Sequence, residues 1–148
     1  MDANPVDVHR ATDAVLVQLD LLAEAHPNLL FVATSNFPEA VDSAFISRSD
    51  LVIEIPLPNA TACRKILEDC LTGLSAIYPK IGQLTKHPKF EACASEFVDL
   101  DGRTIRKTVA NALAADPTVA MAPETVTIEQ IAAAARAARK SRAKKEGK

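Results

Sequence analysis

The stretch LLFVATSNFPEAVDSAFISRSDLVIEIPLP, from Leu29 to Pro58, decides how the chain is interpreted. It begins with an apolar run at residues 29–34 that is rich in β-formers and too short for a typical helix. Such runs are typical of a strand buried on both faces of a parallel sheet. Residues 51–55 form a second run of this kind, closed by Pro56. We therefore predict an α/β fragment built around these two strands.

Two polar side chains between the predicted strands are candidates for ligand binding. Asn36 follows the first strand, where open α/β sheets bind their ligands, and Arg48 precedes the second strand. An amide at a strand end, then a turn and an arginine, indicates a phosphate site. Taken alone, each residue also has a simpler role, since asparagine often begins a turn and an exposed arginine often makes a surface salt bridge.

Composition indicates a largely helical chain that stays inside the cell. Hydrophobic residues make up 48% of the 148 residues but aromatic residues only 4%, so most of the apolar content is small and helix-forming. Three cysteines without a C-x-x-C spacing support neither a disulfide framework nor a metal site. With no apolar run of membrane-spanning length and no signal peptide, we expect a soluble intracellular protein, in the nucleus or on chromosomes if eukaryotic and in the cytoplasm otherwise.

Apolar spacing and capping signals predict helices on both sides of the strands. Asn59 is a predicted N-cap, and Thr127 with Gln130 is a predicted capping box. The predicted helices are Val8–Ala25, Asn59–Ala76, Arg103–Ala115 and Glu129–Lys144. We therefore divide the chain into residues 1–57, the C-terminal part of a large α/β subdomain, and residues 58–148, an all-α subdomain.

The third of these helices carries a second candidate phosphate site. Arg103, Arg106 and Lys107 share the face opposite its apolar stripe. A cation in the first helical turn opposes the helix dipole, which is unfavourable without a ligand. Together with the free amide groups of that turn, Arg103 would favour the binding of a phosphate.

These signals, in this order, resemble the second half of an AAA+ ATPase module. The segments AVLVQLD, TSNFPEAVDSAFISRSD, DGRTIRK and PETVTIE are more specifically similar to the pachytene checkpoint protein two family of HORMA-remodelling AAA+ ATPases. The resemblance extends from Val6 to Arg139. It implies an AAA+ core fragment followed by an AAA+ lid, in a homohexamer that acts on HORMA-domain proteins in meiotic recombination checkpoint and chromosome synapsis.

The resemblance also implies residue roles. Asn36 would be the sensor-1 residue that orients the attacking water, and Arg48 the arginine finger that enters the neighbouring subunit's site. Arg103 would be sensor 2, which links the γ-phosphate to the lid, with Arg106 as the second choice. ATP and Mg²⁺ would be the cofactors of the full-length assembly.

The chain departs from that family in lacking G-x-x-x-x-G-K-[ST] and an apolar strand ending in paired acids. We expect both upstream of Met1, and we expect the chain alone neither to bind ATP tightly nor to hydrolyse it. Two other functions stay open. The chain could be a non-catalytic adaptor that packs on true ATPase subunits. Least favoured is a basic nucleic-acid binder, because residues 136–148 carry a local charge of +6 but no aromatic residue.

Overall fold

The computed structural model describes residues 5–146, which contain helices and no strand. They divide into two compact units, up to Glu54 and from Ile55 onward. The first unit contains α1 (Pro5–Ala25), a 3₁₀ turn (Pro38–Ala40) and α2 (Ser43–Ser47). The second contains α3 (Ala60–Ser75), α4 (Pro79–Gly82), a 3₁₀ turn (Gln83–Lys86), α5 (Phe90–Ser95), α6 (Gly102–Ala114), α7 (Pro117–Met121), a 3₁₀ turn (Pro123–Thr125) and α8 (Ile128–Glu146).

The predicted α/β fragment is wrong for the described residues. Residues 29–34 and 51–55 are neither helix nor strand, and their side chains are exposed. Leu30 is 86% exposed and Ile55 is 88% exposed. An apolar, β-prone run becomes a strand only where neighbouring strands pair with its N–H and C=O groups. The described chain supplies no such neighbour to either run, so the pattern alone does not produce a sheet.

Helix α1 forms where the spacing predicts it, but the described members of its predicted apolar stripe are not buried. That stripe consists of Val8, Thr12, Val15, Leu19 and Leu22. Val15 is 50% exposed and Leu22 is 41% exposed. Leu16, which lies outside that stripe, is the buried side chain among the described side chains of α1. Periodicity therefore predicted the helix correctly, whereas the buried face depends on which elements cover it.

The second unit has a continuous apolar core. Helix α3 contributes Leu67 and Leu71, and both are fully buried. Ile105 of α6 and Ile131 of α8 lie in the same cluster, as does Phe97. Since each fully buried side chain of this size contributes about 1.5–3 kcal/mol, this shared face accounts for most of the unit's stabilisation.

The starts of three helices are fixed by side chains that cap them, and two of these caps are predicted above from the sequence. Asn59 caps α3 by accepting a hydrogen bond from the Ala62 amide at 2.9 Å. Thr127 and Gln130 form the predicted capping box at α8, with the Thr127 amide donating to Gln130 Oε1 at 2.9 Å. Asp101 caps α6. The predicted helices are confirmed. They were predictable because capping side chains act on backbone groups only a few residues away.

We predict that truncating the core of the second unit destabilises the chain strongly. Leu67→Ala removes a fully buried side chain and should lower the free energy of unfolding by about 2–5 kcal/mol. Ile77→Ala is the matched control, because Ile77 is 73% exposed and its truncation should cost less than about 0.5 kcal/mol. Urea unfolding followed by helical circular dichroism measures both. Equal losses would contradict the assigned core.

The Asp101 cap should make stability depend on pH. The hydrogen bond from the Thr104 hydroxyl is the main cause that lowers the pKa of Asp101 below its ordinary value of 3.8. The carboxylate therefore stabilises the fold above that pH, and this stabilisation is lost as the pH falls through the lowered pKa.

Asp101→Ala should lower the free energy of unfolding by about 0.5–2 kcal/mol at neutral pH. The difference in this free energy between the variant and the parent chain should become smaller below about pH 4. Urea unfolding measured from pH 7 to pH 2.5 tests this expectation. Asp13→Ala serves as the control, since Asp13 is exposed and has no partner among the described residues. If the difference in the free energy of unfolding between Asp101→Ala and the parent chain stays constant with pH, the charge of the Asp101 carboxylate does not contribute to the cap.

Candidate functional site

Asn36 lies at a bend two residues before the first 3₁₀ turn, and its side chain is exposed. The adjacent Ser35 forms the local turn, because its hydroxyl accepts a hydrogen bond from the Phe37 amide at 3.0 Å. No hydrogen bond to the Asn36 carboxamide occurs among residues 5–146. The simpler turn-forming role therefore belongs to Ser35, and the Asn36 side chain is left available for a ligand.

Arg48 caps the C-terminal end of α2 and is held by two contacts within the first unit. Its Nε lies 3.1 Å from Oδ1 of Asp20 on α1, and its Nη1 donates to the Ala44 carbonyl at 3.1 Å. The side chain remains 43% exposed, so this ion pair contributes at most about 1 kcal/mol. The Nη2 group has no partner in the described part of the chain. Arg48 thus makes the surface salt bridge considered above and still presents free donors.

Arg103 occupies the first turn of α6, where the amide groups are only partly free. The Asp101 carboxylate accepts from the Thr104 amide at 2.9 Å and from the Thr104 hydroxyl at 2.6 Å. A negative charge from the chain itself therefore already compensates this helix end. Since Asp101 already binds the Thr104 amide, fewer amides of this turn are free than expected, and a phosphate bound here would depend mainly on the side chain of Arg103.

Arg103 and Arg106 lie on the exposed face of α6, opposite the buried Ile105 and Val109. The predicted division of this helix into a basic and an apolar face is confirmed. Arg106 also lies near Cys70 of α3, where burial raises the pKa of the thiol and the positive charge of Arg106 opposes that effect. The core thus fixes the helix while both guanidinium groups remain open to solvent.

Each of these side chains, taken by itself, carries donors or acceptors that suit a phosphate. Exposed guanidinium groups suit the oxygens of a phosphate chain, and an exposed carboxamide suits a water or a phosphate oxygen. The sequence has no glycine-rich phosphate loop, and residues 5–146 hold no group of three or more His, Cys, Asp or Glu side chains that could bind a metal ion. The described residues therefore offer individual side chains that suit a phosphate, without a loop that cradles it.

The structure contains a cluster of ion pairs on α8 that was not predicted from the sequence. Arg136 and Arg139 contact Glu96 at 3.1 and 3.7 Å, and Arg139 also lies 3.5 Å from Asp99. Arg142 donates a hydrogen bond to the Asp99 carbonyl. The three-residue spacing of these arginines is the signal that could have revealed one basic helix face.

The three cysteines add no second site. Cys63, Cys70 and Cys93 are free thiols, and burial raises the pKa of Cys93 to about 11. Such thiols are poor nucleophiles because they stay protonated. None of the described helices has the length and apolar character needed to cross a bilayer.

Comparison with curated proteins identifies relatives of this chain. It is 62% identical over 142 residues to CD-NTase-associated protein 6 from Pseudomonas aeruginosa, a match that covers 96% of this chain and 47% of that protein. It is 40% identical over 86 residues to the pachytene checkpoint protein 2 homolog of Mus musculus, which covers 56% of this chain and 20% of that protein. The human homolog is 39% identical over 84 residues.

These matches confirm part of the resemblance inferred from the motifs. The similarity to pachytene checkpoint protein 2 homologs covers about half of the chain, 56% for the mouse protein, rather than nearly all of it. The motifs alone did not indicate the bacterial relative. No protein-family model and no solved structure matches the chain with significance. The chain spans about half the length of the Pseudomonas protein, and it is related to that protein and, more distantly, to the checkpoint homologs.

Proposed function

We propose that this chain is the C-terminal part of an AAA+ ATPase that assembles as a homohexamer and remodels a HORMA-domain protein. The observation that carries the proposal is the 40% identity to the mouse pachytene checkpoint protein 2 homolog over 56% of the chain, which agrees with the motif resemblance. The chain is also 62% identical to CD-NTase-associated protein 6 across 96% of its length. Because that relative is bacterial and is named for its association with a CD-NTase, we place the function in a bacterial cytoplasm. A meiotic role belongs to the more distant checkpoint homologs.

In this proposal the assembled protein binds ATP with Mg²⁺, and this chain supplies side chains that respond to the phosphates. Asn36 orients the attacking water, Arg48 acts at the neighbouring subunit's site, and Arg103 contacts the γ-phosphate, with Arg106 as its alternative. All four side chains are exposed, which supports roles at a site that the chain does not enclose.

The ion pair of Arg48 with Asp20 is compatible with a role as an arginine finger. An exposed pair contributes at most about 1 kcal/mol. An arginine finger increases the rate of phosphoryl transfer by 10³–10⁵, which corresponds to about 4–7 kcal/mol of transition-state stabilisation. Exchanging the Asp20 carboxylate for a phosphate is therefore favourable overall.

The contacts of α8 argue against the nucleic-acid alternative. Arg136, Arg139 and Arg142 already bind the acidic or carbonyl groups of Glu96 and Asp99. The phosphate backbone of a nucleic acid would have to compete with these intramolecular contacts at three of the basic residues in the segment 136–148. This observation favours a role for the basic helix within the protein.

A chimera tests the proposed function directly. Residues 1–148 of this chain would replace the matched region of the Pseudomonas aeruginosa relative, and ATP hydrolysis would be measured in a coupled assay, with the unmodified relative as reference. We expect the chimera to hydrolyse ATP. We expect the 148-residue chain alone to be inactive because it lacks a phosphate loop. An active isolated chain, or an inactive chimera beside an active reference, would refute the proposal, and the second result would favour the adaptor.

In the chimera, Arg48→Ala should lower kcat by about 10³-fold or more, because the finger stabilises the transition state. Asp20→Asn is the matched control, since it removes the ion pair and keeps the guanidinium, and kcat should stay within about twofold. Equal losses in both variants would mean that Arg48 has only a structural role.

Mixing subunits tests whether Arg48 acts across an interface. Arg48→Ala subunits and Asn36→Ala subunits should each be inactive as homohexamers. Together they should recover part of the activity, because some interfaces then combine an intact Asn36 with an intact Arg48. Failure to recover activity would place the two residues in the same subunit's site.

A further inference from the structure

The ion-pair cluster of α8 joins the C-terminal helix to the turn between α5 and α6. Glu96, at the end of α5, contacts Arg136 and Arg139. Asp99, in the turn, contacts Arg139 through its carboxylate and Arg142 through its backbone carbonyl. These contacts connect residues about 40 positions apart in sequence, such as Arg136 with Glu96. The cluster therefore fixes a tertiary arrangement rather than a local one.

The turn that the cluster holds has an unusual backbone. Asp99 has a φ of 70°, in the left-handed region that residues other than glycine seldom adopt, although aspartate tolerates it better than most. The next residue, Leu100, is fully buried in the core, and Asp101 caps α6. A positive φ thus turns the chain from an exposed position directly into the core and then into the helix that bears Arg103.

The second connection between α6 and α8 is apolar. Ile105 and Val109 of α6 lie in the same buried cluster as Ile131 and Ala135 of α8. The core therefore holds the body of α6 against the first half of α8. The first turn of α6, which bears Arg103, is fixed by Asp101 and by the preceding turn. Arg139 and Arg142 bind to that preceding turn.

We propose that Arg139 and Arg142 are positioning residues: they hold the turn at residues 98–101 and thereby fix the direction in which Arg103 presents its guanidinium to the nucleotide. This inference rests on the proposed role of Arg103 at an ATP site. It gives the basic C-terminal helix a function inside its own subunit. Weak contacts suffice for this role, because misplacing a reacting or binding group by about 1 Å can cost roughly 10²-fold in rate.

Amide hydrogen exchange on the 148-residue chain tests the contact itself. In Arg142→Ala, exchange of the amides at residues 100–105 should become about fivefold faster or more, while α3 should be unaffected. Lys140→Ala is the matched control, because Lys140 is an exposed cation on the same helix. Arg142→Lys should restore part of the protection, since it retains a cationic donor. Unchanged exchange at residues 100–105 in Arg142→Ala would overturn the proposal.

The Arg139 contact needs a variant that leaves the turn intact. Asp99→Asn removes the carboxylate that faces Arg139 and keeps both the carbonyl for Arg142 and a residue that tolerates positive φ. We expect a smaller increase in exchange than in Arg142→Ala, confined to the same residues. Increased exchange throughout the second unit would instead indicate general destabilisation and would also overturn the proposal.

A double-mutant cycle in the active chimera tests the functional consequence. Arg142→Ala should lower kcat/KM for ATP by about 2- to 30-fold, the usual range for residues that act through others. If it acts through Arg103, the double variant Arg103→Ala/Arg142→Ala should be no less active than Arg103→Ala alone. If the double variant instead shows a fold-loss in kcat/KM equal to the product of the two single losses, the positioning role is overturned. An inactive unsubstituted chimera would count against the proposed function, and hydrogen exchange would then decide the positioning role alone.

Discussion

The second unit depends on one interaction, the burial of the apolar faces that α3, α6 and α8 share. Leu67, Ile105 and Ile131 are fully buried in a single cluster, and each contributes about 1.5–3 kcal/mol. The surface ion pairs around that cluster contribute at most about 1 kcal/mol each. The core therefore decides where the helices lie. The charged residues decide details such as the direction of a helix's first turn.

This hierarchy explains how much of the fold the sequence could predict. Helices after Pro58 were predictable because Asn59, and Thr127 with Gln130, act on backbone groups within three residues of themselves. The strands at residues 29–34 and 51–55 were not, because a strand exists only through hydrogen bonds to distant segments. The same dependence on distant partners explains why α1 formed as predicted while Val15 and Leu22 of its stripe stayed exposed.

The same distinction between local signals and distant contacts applies to the candidate site residues. Local spacing placed Arg103 and Arg106 on an exposed face of α6, as the structure shows. It could not show that Arg48 pairs with Asp20, since that contact joins residues far apart in sequence. It also missed that Asp101 compensates the start of α6, although an aspartate directly before a helix is itself a local capping signal. That omission was an error of interpretation rather than a limit of the sequence.

The arginines of this chain show why net charge is a poor guide to function. The local charge of +6 at residues 136–148 suggests a polyanion as partner, yet the arginines in this segment share Glu96, Asp99 and a backbone carbonyl. Arg48 has one exposed carboxylate as its charged partner and donors to spare, so a phosphate can replace that partner at little cost. Arg139, by contrast, faces two carboxylates, those of Glu96 and Asp99, and it loses both when it binds a ligand. Availability for chemistry therefore depends on the partners that each guanidinium would have to give up.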